Sequence, residues 1–203
     1  MNQTCRWVIK YFFLLTWQCC AQWWHTRPTF NKSVMVTVAV STLGCSDILF
    51  LEPSVKINGE YYRNTVLHKM LLADIRRVSG DMYTFQQDSA SAHHAHTTVE
   101  MPKTETPDFI PPDLWPPNSP DLNVVDYSIW SILQEKVYRH RINDLDELKQ
   151  QPHVEWSNLD HAVITAGIRQ WHRRLSACVQ AGSGHFEHHF YFSHALCICR
   201  LVD

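Results

Sequence analysis

The sequence predicts a single α/β domain, in which a β-sheet is layered with helices. In the segment SVMVTVAVS (33–41), valine occupies every second position. This alternation and the many β-branched residues are typical of a strand. Apolar residues within 60–79 recur at helical spacing, and Gly80 follows as a stop signal. The segment MYTFQQ (82–87) then predicts a buried strand that runs directly into Asp88.

Length and composition agree with one globular domain. A chain of 203 residues with 45% hydrophobic content can bury one sizeable core, but rarely two. The net charge is −2, whereas a chain that wraps DNA by itself is usually clearly basic. The seven cysteines are odd in number and scattered, which favours a reducing compartment over a disulfide scaffold.

The N-terminal segment 1–32 does not match this pattern. Residues 7–24 are mostly aromatic and aliphatic, but Lys10 and two glutamines interrupt them. Basic residues flank an apolar run, so a signal sequence is an alternative interpretation. A membrane-spanning helix needs about 20 apolar residues, and the interrupted run predicts no membrane association. We expect 1–32 to be an unrelated apolar segment and the domain to begin at residue 33.

One further strand and a rigid, proline-rich connector are also predicted. The apolar run 47–51 follows 33–41 after a short segment with Gly44, which indicates a hairpin. Six of the ten prolines lie in 107–120, which excludes a helix and allows at most a short strand near residues 114–115.

Two helices are predicted in the second half. Ser119 and Pro120 form a typical helix opening, and an apolar stripe at helical spacing follows. Asp126 lies beside that stripe, so its carboxylate needs a partner or a function. The second helix covers about 159–180 and carries basic residues, which are Arg169, His172, Arg173 and Arg174.

Two motifs resemble the Tc/mariner family of DDE transposases. FQQDSASAH (85–93) is similar to the family segment FQQDNAPAH, which holds the second catalytic aspartate. WPPNSPDLNVVD (115–126) is similar to WPPNSPDLNPIE, which ends in the third catalytic acid. The 37 residues between Asp88 and Asp126 resemble the mariner branch, whose third acid is aspartate. The resemblance covers roughly residues 27–188.

The resemblance implies an α/β fold of the RNase H-like (ribonuclease H/integrase) superfamily. Such domains place three carboxylates around two Mg²⁺ or Mn²⁺ ions that lie about 4 Å apart across the scissile phosphate. Asp88 after a strand and Asp126 on a helix fit the second and third positions. We therefore predict them as catalytic and metal-binding acids whose carboxylates lie close enough to share a cation.

The first catalytic acid has no counterpart in the expected place. In the family it lies on the strand before the hairpin, yet residues 1–32 contain no aspartate or glutamate. We therefore predict a truncated domain, residues 33–188, with its first strand missing and a degenerate tail at 189–203. Either 7–15 supplies a substitute strand or helix, or the sheet stays open at its centre.

The expected function is that of an inactive remnant of a mariner DDE endonuclease, with weak Mg²⁺ or Mn²⁺ binding. The resemblance implies DNA as a partner, bound weakly, a homodimer, a nuclear location and no small-molecule substrate. Residues predicted to contact DNA are His93, Asn118, Asn123, Arg169, Arg173 and Arg174, although a solvated helix face explains the three arginines equally well.

Three alternatives stay open at this stage. The chain is an active endonuclease if another residue or a partner chain replaces the first acid. It is an interaction or membrane-associated product if the apolar N-terminus matters more than the old active site. A zinc site is a further alternative, since the tail holds suitable ligand types without regular spacing, at His185, His188, His189, His194, Cys197 and Cys199.

Overall fold

A five-stranded sheet with helices on both faces forms the domain, in the order β3-β2-β1-β4-β5. The computed structural model describes residues 5–16, 33–51, 55–88, 90–116, 119–139, 142, 144–182 and 186, with the backbone alone for 5–16 and 33. The predicted α/β class is confirmed. The tail 189–203 lies outside the described residues, and so do all six candidate zinc ligands, at 185, 188, 189, 194, 197 and 199.

The first strand is present, and the prediction that it is missing is wrong. β1 (Cys5–Thr16) lies at the centre of the sheet, antiparallel to β2 (Ser33–Val40) and parallel to β4 (Tyr83–Gln87). The apolar N-terminal run therefore supplies the substitute strand that the sequence analysis allowed. The sheet begins at Cys5 and not at residue 33, because β2 and β4 would otherwise face each other across a gap with unpaired backbone groups.

The predicted hairpin is confirmed, and its strands separate two halves of the core. β2 pairs antiparallel with β3 (Leu49–Leu51). Alternate residues of β2 point to opposite faces, as the pleat requires. The first core contains four of its valines, Val34, Val36, Val38 and Val40, and the second contains Ala39 with Leu51 and Phe85.

The predicted helix 60–79 is continuous but changes its winding. α1 (Gly59–Tyr61) leads into a first π-helix (Tyr62–Leu71), which continues as α2 (Leu72–Ser79). Gly80 ends the helix with a φ of 60°, a conformation that glycine adopts without steric cost. Its buried residues, among them Tyr62 and Leu71, form most of the second core.

The segment between the two motifs is more structured than predicted. α3 (His96–Glu105) follows the loop after Asp88, although the sequence there is polar and contains Pro102. The short strand of the proline-rich segment is β5 (Asp108–Ile110), parallel to β4, and not residues 114–115, which belong to a 3-10 turn and its end. Pairing to β4 decides this, since an edge strand tolerates neighbouring prolines.

The second half consists of helices packed on the valine face. A 3-10 turn (Pro120–Leu122) and a second π-helix (Val125–Ile129) lead into α4 (Trp130–Tyr138). α5 (Leu145–Ser157), which the sequence analysis did not predict, precedes α6 (His161–Gln180), which it did. No described helix is long and apolar enough to cross a membrane.

Candidate active site

Asp88 lies at the end of β4, where the strand leaves the sheet. All five residues of β4 are buried, so the strand holds the start of the following loop in a fixed place. The Oδ1 atom of Asp88 accepts a hydrogen bond from the backbone N–H of Ala90 at 3.0 Å. This contact is a local turn of the kind that aspartate forms in many loops, and it fixes one carboxylate oxygen.

His93 is the direct partner of Asp88. Its Nδ1 atom lies 2.8 Å from Asp88 Oδ1 and 3.1 Å from the Asp88 carbonyl oxygen. Both of these atoms are acceptors, so the ring carries a proton on Nδ1. The His93 side chain is 0% exposed, which argues against the predicted DNA contact. His93 orients Asp88 instead, because its ring is buried behind the loop and cannot reach a duplex.

Tyr62 supports this pair from the first π-helix. Its ring lies 4.6 Å from the His93 ring, measured between centroids, and its hydroxyl donates to Gln87 Oε1 at 3.0 Å. Burial raises the pKa of Tyr62 well above its usual range, and the negative charge of Asp88 raises it further. Tyr62 therefore stays a neutral donor. Its role at the site was not predicted, although it lies in the part of the sequence that resembles the family.

Asp126, the predicted third acid, lies in the second π-helix and is half-buried. Its backbone N–H donates to the carbonyl oxygen of Asn123 at 3.0 Å. The Asn123 side chain accepts from the N–H of Val125 at 3.1 Å, so Asn123 caps this helix. Asn123 is only 1% exposed, and its buried capping role argues against the predicted DNA contact. The proximity of the Asp88 and Asp126 carboxylates stays a prediction.

Arg174 of α6 braces the segment that carries Asp126. Its Nη1 donates to the carbonyl oxygen of Asp121 at 2.9 Å, and its guanidinium carbon lies 3.9 Å from the centroid of the Tyr127 ring. Arg174 is 7% exposed, so the prediction that it lies on a solvated or DNA-facing surface is wrong. The helical repeat turns position 174 toward the core, where only a hydrogen-bonded guanidinium is tolerated.

α6 also contacts the second π-helix through Gly167. The Tyr127 hydroxyl donates to the Gly167 carbonyl oxygen at 2.7 Å. A side chain at position 167 would place its Cβ 3.1 Å from Ser128 Oγ and from Val124 Cγ1. The close approach of the two helices therefore depends on the glycine. Together with Arg174, it positions the helix that carries Asp126.

Two of the predicted DNA-contacting residues remain accessible. Arg169 and Arg173 are exposed on α6. Asn118 lies outside the described residues. The DNA contacts of these three residues stay predictions. No group of three or more His, Cys, Asp or Glu side chains in the described part of the chain is arranged to hold a metal ion.

The fold is similar to that of solved transposase structures. The structure of the Mos1 transposase paired-end complex with the left transposon end superposes with a TM-score of 0.73 and 19% identity, over 90% of this chain and 56% of that one. The catalytic domain of Mos1 mariner transposase gives 0.69 and 18%, over 90% and 84%. This chain has the fold of a mariner transposase catalytic domain. The predicted RNase H-like architecture and the predicted resemblance are confirmed.

The extent of the match also defines its limits. The mariner paired-end complex of Mos1 with Mn gives a TM-score of 0.71 at 20% identity, again over 90% of this chain and 56% of that one. The chain thus spans about half the length of the transposase in these complexes and most of the isolated catalytic domain. No protein-family model and no curated protein matches the sequence. The mariner likeness is therefore one of three-dimensional fold.

Proposed function

We propose that this chain is a transposase-derived, nucleic-acid-related protein that has kept the mariner catalytic fold without strand cleavage. One observation carries the proposal. The central strand β1 (Cys5–Thr16) pairs with β4, the strand directly before Asp88, and its sequence CRWVIKYFFLLT contains no aspartate or glutamate. This is the strand on which the resemblance expects the first catalytic acid.

The residues present do not fit a two-ion site. Divalent ions such as Mg²⁺ and Mn²⁺ prefer oxygen ligands, and a pair of ions needs carboxylates that bridge them. β1 offers only apolar, aromatic, hydroxyl, thiol and basic side chains along its length. At Asp88, one carboxylate oxygen already accepts hydrogen bonds from His93 and Ala90. The donor set supports at most one weakly held ion, shared by Asp88 and Asp126.

The partners are proposed by analogy with the similar structures. Solved Mos1 structures include a paired-end complex with the left transposon end and a paired-end complex with Mg. For this chain we propose weak DNA binding in which the exposed Arg169 and Arg173 contact phosphates, weak Mg²⁺ or Mn²⁺ binding, a homodimer and a nuclear location. The net charge of −2 supports weak rather than strong DNA binding.

The proposal is tested by a cleavage assay with labelled duplex that carries a mariner transposon end. The purified chain is incubated with Mn²⁺ beside Asp88→Ala and Asp126→Ala variants, and an active mariner transposase shows that the duplex is a competent substrate. We expect neither cleavage nor strand transfer by any of the three. Cleavage by the parent that both substitutions abolish would overturn the proposal and favour an endonuclease whose first acid is replaced.

A further inference from the structure

Arg63 lies close to the candidate site, on the helix that carries Tyr62. It follows Tyr62 directly in the first π-helix. The Tyr62 ring contacts His93, which is the partner of Asp88. The Nη1 atom of Arg63 donates a hydrogen bond to Thr98 Oγ1 in α3 at 3.1 Å. Arg63 therefore joins the first π-helix to α3 beside the group that holds Asp88.

The topology places this corner at the end of the sheet where Asp88 lies. β4 ends directly before Asp88, and α3 begins after a short loop. The long helix that starts at Gly59 ends at Gly80, just before β4 starts. Because that helix delivers the chain to the start of β4, its own first turns lie near the other end of the strand. The hydrogen bond from Tyr62 to Gln87, the last residue of β4, agrees with this placement.

Close packing fixes the guanidinium of Arg63 in addition to the hydrogen bond. A Cβ atom at position 59 would lie 3.3 Å from Arg63 Nη1, 3.1 Å from Thr98 Oγ1 and 3.0 Å from Ala95 Cβ. Gly59 therefore leaves the space that the arginine head and the start of α3 occupy. Arg63 is half-buried and Thr98 is 0% exposed, so the bonded Nη1 atom is held against the protein.

The charge of Arg63 has no counter-ion in the described part of the chain. Ion pairs there involve three other arginines, Arg76, Arg77 and Arg139. No carboxylate of the described residues pairs with Arg63, and Glu60, three residues earlier on the helix, is exposed. A guanidinium carries five N–H donors, and the Thr98 hydroxyl uses one of them. The unused donors fit an anion that comes from outside the chain.

We propose that Arg63 binds a phosphate of duplex DNA beside Asp88, with Thr98 and Gly59 holding its guanidinium in place. The inference rests on the proposed function, because it assigns a contact through which weakly bound DNA reaches the candidate site. A guanidinium presents parallel N–H donors that match the oxygens of a phosphate. His93 and Arg174 were predicted to make DNA contacts but are buried, whereas Arg63 is only half-buried.

The physical consequence is a contribution to DNA binding that depends on salt. Each phosphate contact releases about one counterion, so loss of the Arg63 charge should reduce the slope of log Kd against log salt concentration by about 1. Affinity at low salt should fall by about fivefold. The loss should be the same for all sequences, since a phosphate contact reads no base. A purely structural role of Arg63 predicts lower stability with an unchanged slope.

The test is duplex binding by the full chain, measured by fluorescence anisotropy between about 50 and 200 mM NaCl. Arg63→Gln removes the charge, and Arg63→Lys keeps the charge without the planar fork. Arg77→Gln is the matched control, because Arg77 lies on the same continuous helix and already pairs with Asp74. We expect the slope to fall in Arg63→Gln and to stay at the parent value in Arg63→Lys and Arg77→Gln.

A second variant tests the anchor of the guanidinium without changing any charge. Thr98→Val removes the hydroxyl that accepts from Arg63, so it should weaken binding, but less than Arg63→Gln does. Thermal unfolding of each variant identifies those that are folded in the assay. A parent slope in folded Arg63→Gln would overturn the proposal. If Arg63→Gln does not fold, parent affinity in Thr98→Val would overturn it instead.

The two proposals fail in different ways. Duplex binding that Arg63→Gln leaves unchanged overturns the role of Arg63 alone, and weak DNA binding then stands. Absence of binding by the parent overturns both the role of Arg63 and the proposed DNA partner. Strand cleavage is measured separately, so neither result bears on the proposed inactivity.

Discussion

Replacement of Arg174 by alanine should destabilise the domain strongly, although position 174 lies on the surface pattern of a basic helix. The guanidinium donates a hydrogen bond to Asp121, for which a charged donor contributes about 1.5–3 kcal/mol. Its stacking on the Tyr127 ring adds up to about 2 kcal/mol in a desolvated place. The two contributions share one side chain, so we expect a combined loss of about 3 kcal/mol.

The adjacent Arg173 provides the matched control. It carries the same charge and lies on the same helix, but its side chain is exposed. Arg173→Ala should therefore change the free energy of unfolding by less than about 0.5 kcal/mol. Urea unfolding followed by far-ultraviolet circular dichroism measures both variants. Arg174→Lys keeps the charge but not the planar fork, and it should fall between the two alanine variants. If Arg174→Ala and Arg173→Ala unfold at the same urea concentration, the brace between α6 and the second π-helix does not exist.

Two further outcomes follow from the site. Tyr62→Phe should cost about 1–2 kcal/mol relative to Tyr61→Phe, since it removes the donor to Gln87. Because the pKa of Tyr62 is raised in the folded protein, its hydroxyl ionises in the unfolded chain above about pH 10 but not in the folded one. The free energy of unfolding of the parent should therefore fall as the pH rises above about 10. Urea titrations at about pH 9 to 11 should show a weaker fall for Tyr62→Phe. Gly167→Ala should destabilise the domain by about 1–3 kcal/mol, despite the better helix propensity of alanine. Adding Ser128→Ala should restore part of the lost free energy of unfolding. Stabilisation by Gly167→Ala would contradict the close approach of the two helices.

The predicted fold and the observed one agree where local patterns are strong. Three elements were predicted from patterns of neighbouring residues. These are β2 from the alternation in 33–41, α2 from the helical spacing before Gly80, and β4 from the apolar run before Asp88. α3 and α5 were missed, since each contains a proline and few apolar residues at regular spacing. Their helical state depends on packing that no local pattern records.

The sequence by itself determined where the two motif acids lie and that no acid precedes them in the first 32 residues. Asp88 and Asp126 were identified by the motifs around them, and the lack of carboxylates before residue 33 is a fact of composition. These conclusions need only the order of residues along the chain.

Only the tertiary structure decided what lies around the acids. His93 and Arg174 were predicted to contact DNA, yet both are buried and hold other groups in place. The central position of β1 depends on pairing with β2 and β4, whose paired residues lie 17 to 78 positions away in the sequence. Strand pairing and burial are properties of distant segments that meet in space, so no local reading of the chain contains them.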